Sequence, residues 1–444
     1  MEQVRYGPPS APLNGEIQLP SSKSMAHRAI LAAALSGATC SVAGVDDNAD
    51  IRATLGAIAG LGIAYTYDPA EKMVELGRFP EERPGPQAGI PVDCGESGST
   101  LRFAIPIFAA LGKSAVFVGH GKLPERPIGI YRALLTTHGV TVKTAGGLPF
   151  QMEGQLRGGV FMLPGNVSSQ FVTGLLFALP LLAEDSEILL TTPLESAAYV
   201  NLTLQVLRDF GITVTETPKG WRVPGQQRFH AAVLRSGAYR VEGDWSHAAF
   251  FLSLAGASPG SCLRLKGLRP DSLQGDRACV ALYRNFGLRI QWSGSKEEAV
   301  LTVWGPKPGE VPQAQEIDGA QIPDLVPALA VMAVFAKGTS KIRHVARLRI
   351  KECDRLAAMT AAITALGGSA WSTEDTLFVE GKQLSGGTAE GMNDHRVVMS
   401  LAAAGVSGEN PVYVTDPYSI RKSYPHFFRD YQTVGGNVHV VNMG

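Results

Sequence analysis

The sequence predicts an α/β protein of two domains, each assembled from three copies of one βαβαββ unit. Three observations carry this prediction: the chain length, six helix ends that share one pattern, and a second class of helix that is apolar on every side. At 444 residues the chain exceeds the usual size of a single-core domain. Two domains of roughly 200 residues each are therefore expected.

Six amphipathic helices are each predicted to end at a glycine that is followed by a pair of short strands. In the first, Ile51, Leu55 and Ile58 recur at helical spacing before Gly62, and Met73–Leu76 is predicted as a strand. Glycine suits the left-handed conformation that ends many helices. The pattern recurs at intervals of roughly 70–80 residues, longer than common solenoid repeats. Its later glycines are Gly139, Gly211, Gly287, Gly367 and Gly435.

A second class of helix alternates with these and is apolar nearly all round, which is typical of a helix inside a core. Each opens with small or polar residues, at 21–24, 96–99, 167–170, 244–246, 322–324 and 393–396. Each unit is therefore predicted as strand, buried helix, strand, outer helix, strand, strand. We expect one domain at 21–242 and the other at 1–20 plus 243–444, with a first strand at 15–19 returning to the second domain.

The composition excludes several classes of function. Lys plus Arg equals Asp plus Glu at 40 each, so the chain lacks the broad positive field that binding to nucleic acid or anionic membranes requires. The N-terminus has no basic or apolar signal segment, and no apolar run reaches the roughly 20 residues that span a bilayer. We therefore expect a cytoplasmic protein with no nucleic-acid and no membrane partner.

The cysteines predict neither disulfides nor a metal site. The five are scattered and odd in number, without the spacing of a disulfide framework or a zinc site. They are Cys40, Cys94, Cys262, Cys279 and Cys353. No Walker A, HExxH or nucleophilic Ser-His-Asp pattern is present either.

The openings of the buried helices carry the candidate binding residues. A helix N-terminus presents unpaired backbone N–H groups and a partial positive charge, so a buried helix that opens into a cleft can bind an anion. Lys23 and Arg28 flank Ser24 at the start of an otherwise apolar helix. Two cations in that position require an anion.

The next two openings are rich in glycine and serine. Gly98 would let a ligand approach the backbone closely. Ser168, Ser169 and Gln170 offer hydroxyl and amide groups suited to a phosphate or a sugar-like hydroxyl. Three other candidate binding residues also have a purely structural interpretation. Arg126 is either a ligand or a surface residue before a helix that starts at Pro127. Ser196 and Tyr199 begin an outer helix, so Ser196 is either a ligand or the cap of that helix.

The second half of the chain carries ionised candidates. Asp324 precedes a long apolar helix and is either its N-cap or a carboxylate that acts as a general base. The segment from Lys351 to Arg355, which includes Glu352, packs cations and anions together. It is either a solvated charge run or part of a site.

The last opening and a nearby loop complete the set. Asp394, His395 and Arg396 enter another nearly uncharged helix, where a charge is costly unless it is paired. His395 is either a core histidine or a site residue. Lys422 lies on a loop before the last helix.

Taken in order, these segments resemble the 5-enolpyruvylshikimate-3-phosphate synthase family over essentially the whole chain. The most specific matches are 22–24 with Arg28, 125–128, 168–170, 351–352 with 354–355, and 393–396. The resemblance implies two domains of three βαβαββ units, each closed as an inverted α/β barrel, with the active site in the interdomain cleft. It implies transfer of the enolpyruvyl group of phosphoenolpyruvate to the 5-hydroxyl of shikimate 3-phosphate, by addition and elimination, without metal or organic cofactor. We expect a monomer, because no exposed heptad is evident.

The resemblance also implies roles for individual residues. It assigns proton transfer to Asp324, Glu352, Lys23 and His395. Shikimate 3-phosphate would contact Lys23, Ser24, Arg28, Ser168, Ser169, Gln170, Ser196, Tyr199, Asp324 and Lys351. Phosphoenolpyruvate would contact Lys23, Gly98, Arg126, Gln170, Arg355, Arg396 and Lys422.

Two residues depart from the family pattern, and two functions other than the one implied by the resemblance stay open. Glu96 stands where many members have Asn, and Arg347 occupies a substrate-contact position that is often Asn. Retention of Gly98 implies sensitivity to glyphosate. The sister enzyme UDP-N-acetylglucosamine enolpyruvyl transferase typically has Asn where this chain has Ser24, and a reactive Cys in the loop that here spans 119–124 without one. A catalytically silent binding homologue would be expected to lack groups such as Asp324.

Overall fold

The computed structural model describes residues 2–78, 89–230, 237–296 and 298–442. The chain divides into two compact units. The continuous unit is Ser21–Val241, and the split unit is Met1–Pro20 with Glu242–Gly444. Within the described ranges, no helix combines the length and the apolar character needed to cross a bilayer.

The continuous unit contains three four-stranded sheets with two helices each. The first group is α1 (Lys23–Leu35), β3 (Cys40–Ala43), α2 (Ala49–Gly60), β4 (Tyr65–Asp68), β5 (Met73–Leu76) and, from the end of the unit, β14 (Ala238–Arg240). The second is β6 (Ile90–Asp93), α3 (Gly98–Ala110), β7 (Ala115–Val118), α4 (Gly129–Thr137), β8 (Val140–Lys143) and β9 (Phe150–Gly154). The third is β10 (Gly159–Leu163), α5 (Ser169–Ala178), β11 (Ser186–Leu190), α6 (Ala197–Asp209), β12 (Thr215–Thr217) and β13 (Gly220–Val223).

The split unit also contains three four-stranded sheets. Its first group is β2 (Asn14–Gln18), α7 (Trp245–Ala257), β15 (Cys262–Lys266), α8 (Cys279–Asn285), β16 (Arg289–Ser293) and β17 (Val300–Trp304). The second is β18 (Glu316–Asp318), α9 (Val326–Val334), β19 (Thr339–Arg343), α10 (Arg355–Ala365), β20 (Ser369–Ser372) and β21 (Leu377–Glu380). The third is β22 (Gly387–Ala389), α11 (His395–Ser400), α12 (Ala402–Ser407), β23 (Val412–Thr415), α13 (Phe427–Thr433), β24 (Asn437–Asn442) and β1 (Glu2–Gly7).

All six sheets share one pattern, in which two parallel strands are extended by two antiparallel strands. In the second group, β6 runs parallel to β7, β7 pairs antiparallel with β9, and β9 with β8. Consecutive parallel strands need a crossover connection, and in the second and third groups of each compact unit the buried helices provide it. This arrangement confirms the predicted fold class of repeated βαβαββ units.

In each of the two compact units, at least one sheet is completed by a strand from a distant part of the chain. In the continuous unit, β14 pairs in parallel with β3. In the split unit, β2 pairs in parallel with β15, as expected for the strand predicted at 15–19. The sequence did not predict β1, which pairs antiparallel with both β23 and β24 and so takes the place of a fourth strand. Its Tyr6 is fully buried and donates a hydrogen bond to the carbonyl of Val398 (3.0 Å).

The two helix classes differ in burial as predicted. Every residue of α7 and α9 is buried, whereas α2 and α6 each leave one face exposed. All six predicted stop glycines have φ between 78° and 107°, the left-handed region in which a side chain is disfavoured. They are Gly62, Gly139, Gly211, Gly287, Gly367 and Gly435.

Two local predictions were wrong. Pro127 does not begin a helix, because α4 starts at Gly129 and Pro127 instead accepts a hydrogen bond through its carbonyl. The single, nearly uncharged helix expected after the opening at 393–396 is divided into α11 and α12, which meet at Leu401.

Candidate active site

Arg28 in the continuous unit is a buried cation whose contacts are all uncharged. Its side chain is 2% exposed, and burial lowers the pKa of the guanidinium to about 10, so the group remains protonated at neutral pH. Within the described ranges no carboxylate lies at ion-pair distance. Its N–H groups donate to oxygens of Ser24 (2.5 Å), Thr203 (2.8 Å), Tyr199 (3.0 Å) and Thr173 (3.3 Å). A buried charge with only neutral partners is the arrangement expected at an anion site.

Lys23, the first residue of α1, is paired with a carboxylate that the sequence did not single out. Its Nζ lies 2.6 Å from Oδ2 of Asp50, and the two side chains are 14% and 13% exposed. Asp50 lies in the first turn of α2, next to the N-cap Asn48. An acidic residue there is common in helices, so nothing in the sequence marked it as a partner.

Gly98, the first residue of α3, lies directly against two guanidinium groups. A Cβ atom at this position would lie 2.7 Å from Nη1 of Arg126 and 2.8 Å from Nη1 of Arg102. Such distances are not found for real Cβ contacts, so one of the arginines would have to move. Arg126 is 9% exposed, so the alternative of a surface residue is wrong.

Arg102 orients Gln170, and the sequence analysis missed this role. Nη1 of Arg102 donates to Oε1 of Gln170 (2.8 Å), and Nη2 donates to the carbonyl of Pro127 (2.9 Å). Nε2 of Gln170 donates to Oγ of Ser99 (2.9 Å), so both ends of the amide are held. Arg102 is a buried cation in an otherwise apolar helix, the same signal that marked Arg28.

The serine candidates adopt two kinds of conformation. Ser168 caps α5, and its Oγ accepts the N–H of Gln170 (3.3 Å), while the neighbouring Ser169 is buried. Ser196 precedes α6 with φ of 55° and makes no side-chain capping bond. The capping alternative for Ser196 is therefore wrong, and its carbonyl accepts the N–H of Tyr199 (3.1 Å).

Arg355 is the centre of a buried charge cluster in the split unit. Its side chain is 1% exposed and pairs with three carboxylates. The N–O distances are 2.8 Å to Asp394, 2.8 Å to Glu352 and 3.1 Å to Asp324. Arg396 binds Asp324 as well, at 3.0 Å. We call Asp324, Lys351, Glu352, Arg355, Asp394 and Arg396 the Arg355 cluster. Arg355 therefore does not belong to a solvated run of surface charges, which was the alternative interpretation of 351–355.

Asp324 is not a helix cap. The helix α9 begins at Val326, and the residue at its cap position makes no side-chain capping bond. Burial alone would raise the pKa of Asp324, but Arg396, Lys351 and Arg355 outweigh it and hold that pKa well below its usual range. The carboxylate is therefore ionised and bound between two guanidinium groups.

The pKa of Lys351 is also lowered, which for an amine favours the neutral form. Burial and, to a smaller extent, the charge of Arg347 lower this pKa to about 8, although the charge of Asp324 partly opposes them. Within the described ranges its Nζ forms no hydrogen bond or ion pair. Arg347 itself is 8% exposed and donates to the carbonyl of Ala320 (3.1 Å).

The remaining candidates of this unit lie at the start of α11. Asp394 caps the helix by accepting the N–H of Arg396 (2.8 Å) while it also pairs with Arg355. His395 is the first residue of the helix and is 2% exposed. Nζ of Lys422 donates to the carbonyl of Asn393 (2.6 Å), which brings the ammonium to the residue before Asp394.

Asp276 is a second carboxylate that sequence reasoning missed. It is 3% exposed, and its Oδ2 accepts the hydroxyl of Ser246 at the start of α7 (2.5 Å). Burial and, to a smaller extent, the charge of Asp324 together raise the pKa of Asp276 to about 7, against the effects of Ser246 and Arg396. Asp276 therefore lies within electrostatic range of the Arg355 cluster.

The structure thus forms a separate group of candidates in each unit. In the continuous unit Glu96, one of the two departures, lies against Gly121, where its carboxylate occupies the space that a Cβ would need. Among the described residues, no three His, Cys, Asp or Glu side chains gather closely enough to hold a metal ion.

The comparisons with known proteins agree across the whole chain. The model of the family described as EPSP synthase (3-phosphoshikimate 1-carboxyvinyltransferase) matches residues 8–431. The 3-phosphoshikimate 1-carboxyvinyltransferase of Clostridium novyi is 38% identical, with 100% of both chains covered. That of Clostridium kluyveri is also 38% identical, with 97% of each covered.

Solved structures are similar in fold. EPSP synthase from Acinetobacter baumannii superposes with a TM-score of 0.81 at 23% identity, over 100% of both chains. The enolpyruvyl transferase NikO from Streptomyces tendae gives 0.77 at 18% identity, over 100% of this chain and 99% of that one. The family model and the curated relatives establish that this chain belongs to the EPSP synthase family.

Proposed function

We propose that this protein transfers the enolpyruvyl group of phosphoenolpyruvate to the 5-hydroxyl of shikimate 3-phosphate and releases inorganic phosphate. The observation that carries the proposal is Asp324, a carboxylate held ionised between the buried guanidinium groups of Arg355 and Arg396. This arrangement offers an anion site and a base in one place, and both substrates are anions. Family membership makes the protein a transferase of aromatic amino-acid biosynthesis.

The proposed ligands of shikimate 3-phosphate begin with Arg28. Its neutral environment supports binding of a phosphate or carboxylate that supplies the missing negative charge. The full set is Lys23, Ser24, Arg28, Ser168, Ser169, Gln170, Ser196, Tyr199, Asp324 and Lys351. Ser168 and Ser169 add hydroxyl donors at the N-terminus of α5, where the helix dipole also favours an anion.

The proposed ligands of phosphoenolpyruvate are mostly cations. They are Lys23, Gly98, Arg126, Gln170, Arg355, Arg396 and Lys422. The guanidinium of Arg126 occupies the space that a side chain at position 98 would need, which supports a tight pocket for a small, highly charged molecule. We propose a cytoplasmic monomer that uses no organic cofactor or metal.

The reaction would proceed in two balanced steps. In the addition, the 5-hydroxyl oxygen attacks C2 of phosphoenolpyruvate, C3 gains a proton, and the hydroxyl loses one. In the elimination, the methyl group of the tetrahedral ketal loses a proton, the C2–C3 double bond reforms, and the C2–O bond to phosphate breaks. We assign the hydroxyl proton to Asp324 and the proton at C3 to Glu352, with Lys23 and His395 assisting.

The salt bridges of Asp324 explain how this base could be activated. In the ligand-free protein its pKa is held low by its cationic neighbours, and such a carboxylate is a weak base. An anionic substrate bound to Arg355 and Arg396 would compete with Asp324 for their N–H groups. The pKa of Asp324 would then rise, so basicity would appear only when phosphoenolpyruvate is present.

The direct test of the proposal is the release of phosphate from phosphoenolpyruvate. We expect release when shikimate 3-phosphate is supplied, and none with phosphoenolpyruvate alone or with UDP-N-acetylglucosamine as acceptor. Release with the nucleotide sugar would identify the sister activity, and no release with either acceptor would support a binding homologue.

Removal of the proposed proton-transfer groups should lower kcat. We expect Asp324→Asn and Glu352→Gln each to reduce kcat by about 10²–10⁴-fold, the usual contribution of a general acid or base. Asp354→Asn is the matched control, because Asp354 is a neighbouring carboxylate that caps α10, and Asn can cap equally well. Steady-state kinetics check this. Wild-type kcat in both variants would exclude the assigned roles.

A methyl group at Gly98 should weaken phosphoenolpyruvate binding. We expect Gly98→Ala to raise the KM for phosphoenolpyruvate by roughly tenfold or more, because the Cβ displaces Arg126 or Arg102 and small displacements are costly in a tight site. The KM for shikimate 3-phosphate should change little. Gly129→Ala is the control: Gly129 is also the first residue of a helix, but a Cβ there meets nothing within 4 Å. Equal effects of the two substitutions would contradict the packing argument. Inhibition by glyphosate, measured in parallel, tests the expected sensitivity.

The affinity for shikimate 3-phosphate should fall as the pH rises through about 8. The pKa of Lys351 is lowered to about 8, so the ammonium that attracts the anion is lost above this pH. Between pH 7 and pH 9 the protonated fraction falls roughly tenfold, and affinity should follow it. Lys351→Arg should remove the dependence because arginine stays charged. Calorimetric titrations at several pH values check this, and a flat wild-type profile would exclude Lys351 as a ligand.

A further inference from the structure

A cavity of about 530 Å³ lies in the split unit, and none of the proposed substrate ligands lines it. Its walls come from the segment before α8, from the exposed face of α8 and from β16. This volume falls within the range of about 300–1,000 Å³ that is typical of small-molecule sites. The substrate proposal above does not account for it.

Two exposed arginines lie in the wall of this cavity and have no ion-pair partner among the described residues. Nη1 of Arg277 donates to the carbonyl of Pro270 (2.7 Å), and Nη2 of Arg284 donates to that of Ile290 (2.6 Å). Neither guanidinium forms an ion pair with any described residue, and no Asp or Glu lines the cavity. Each guanidinium has five N–H donors, and the bond to a carbonyl uses only one of them. The remaining donors can bind an anion that enters the cavity.

Apolar and aromatic side chains form most of the remaining wall, together with the polar side chains of Ser272 and Gln274. Trp292 is half-buried and packs edge-on against Trp245, with ring centroids 5.8 Å apart. Val280 and Ala281 of α8 lie between the two arginines in the sequence, and Leu273, which also lines the cavity, is 48% exposed. Flat apolar groups stack well on such surfaces, whereas a phosphate or sulfate ion would leave them in water.

We propose that this cavity binds a small aromatic carboxylate. Its ring would lie against Trp292 and the apolar side chains of α8, and its carboxylate would accept hydrogen bonds from Arg277 and Arg284. Arginine pairs with carboxylates through two parallel bonds, which suits a planar ligand of this kind. The site is separate from the proposed transferase activity, so the test is a direct binding measurement and does not depend on turnover.

The test uses isothermal titration of the full-length protein with benzoate and with benzamide, which has the same shape without the charge. We expect benzoate to bind saturably with a Kd of about 5 mM or tighter, as for an efficient ligand of so few atoms. Benzamide should bind about fivefold more weakly or worse, because it lacks the charge-assisted bonds. No saturable binding of benzoate, or equal binding of benzamide, would overturn the proposal.

Substitutions of the two arginines test whether benzoate binds in this cavity. Arg277→Met and Arg284→Met should each weaken benzoate binding by about fivefold or more, since each removes a charged donor. Both side chains are exposed, so the fold should tolerate the change, which circular dichroism on heating checks. Arg289→Met is the matched control, because Arg289 is exposed on β16 and stacks on Trp304 (3.8 Å) without lining the cavity. Benzoate affinity that drops in the control and not in the other two would place the ligand elsewhere and refute the assignment.

Discussion

The split unit depends on the neutralisation of one buried guanidinium. Moving a charged group from water into a protein costs several kcal/mol, and Arg355 is 1% exposed. Three carboxylates offset this cost, and their spacing fixes the relative positions of the loop before α9, the segment before α10 and the start of α11. Loss of a single partner from such a cluster typically costs about 3–5 kcal/mol. The residues of the Arg355 cluster therefore serve both the proposed chemistry and the stability of the local fold.

The buried charges of Arg28 and Arg355 are stabilised in different ways. In the Arg355 cluster, cations and carboxylates compensate each other before any ligand arrives. Arg28 instead relies on backbone carbonyls and hydroxyls, which stabilise its charge only in part. An anion that binds Arg28 adds the missing charge, whereas one that binds Arg355 or Arg396 must displace a carboxylate. The second event is the one that can change the basicity of Asp324.

The repeats could be predicted from sequence because they rest on local rules. A stop glycine, a polar helix opening and an apolar run each act within a few residues, and all six copies repeat them. The strand β1 and the ion pair of Lys23 with Asp50 depend on contacts between distant segments, for which a single sequence gives no local signal. Arg102 is different. Its apolar surroundings were visible, but its role as the group that orients Gln170 required the geometry.

The openings of the buried helices explain why Asp324 is available for chemistry. In α1, α3, α5, α7 and α11 the residue before the helix accepts a backbone N–H through its side chain. These side chains satisfy donors that would otherwise be unpaired. The helix α9 is the exception, because its cap position holds Leu325 and a proline at its second residue removes one donor. Asp324 is therefore not committed to capping, and its carboxylate can exchange between arginine and a substrate proton.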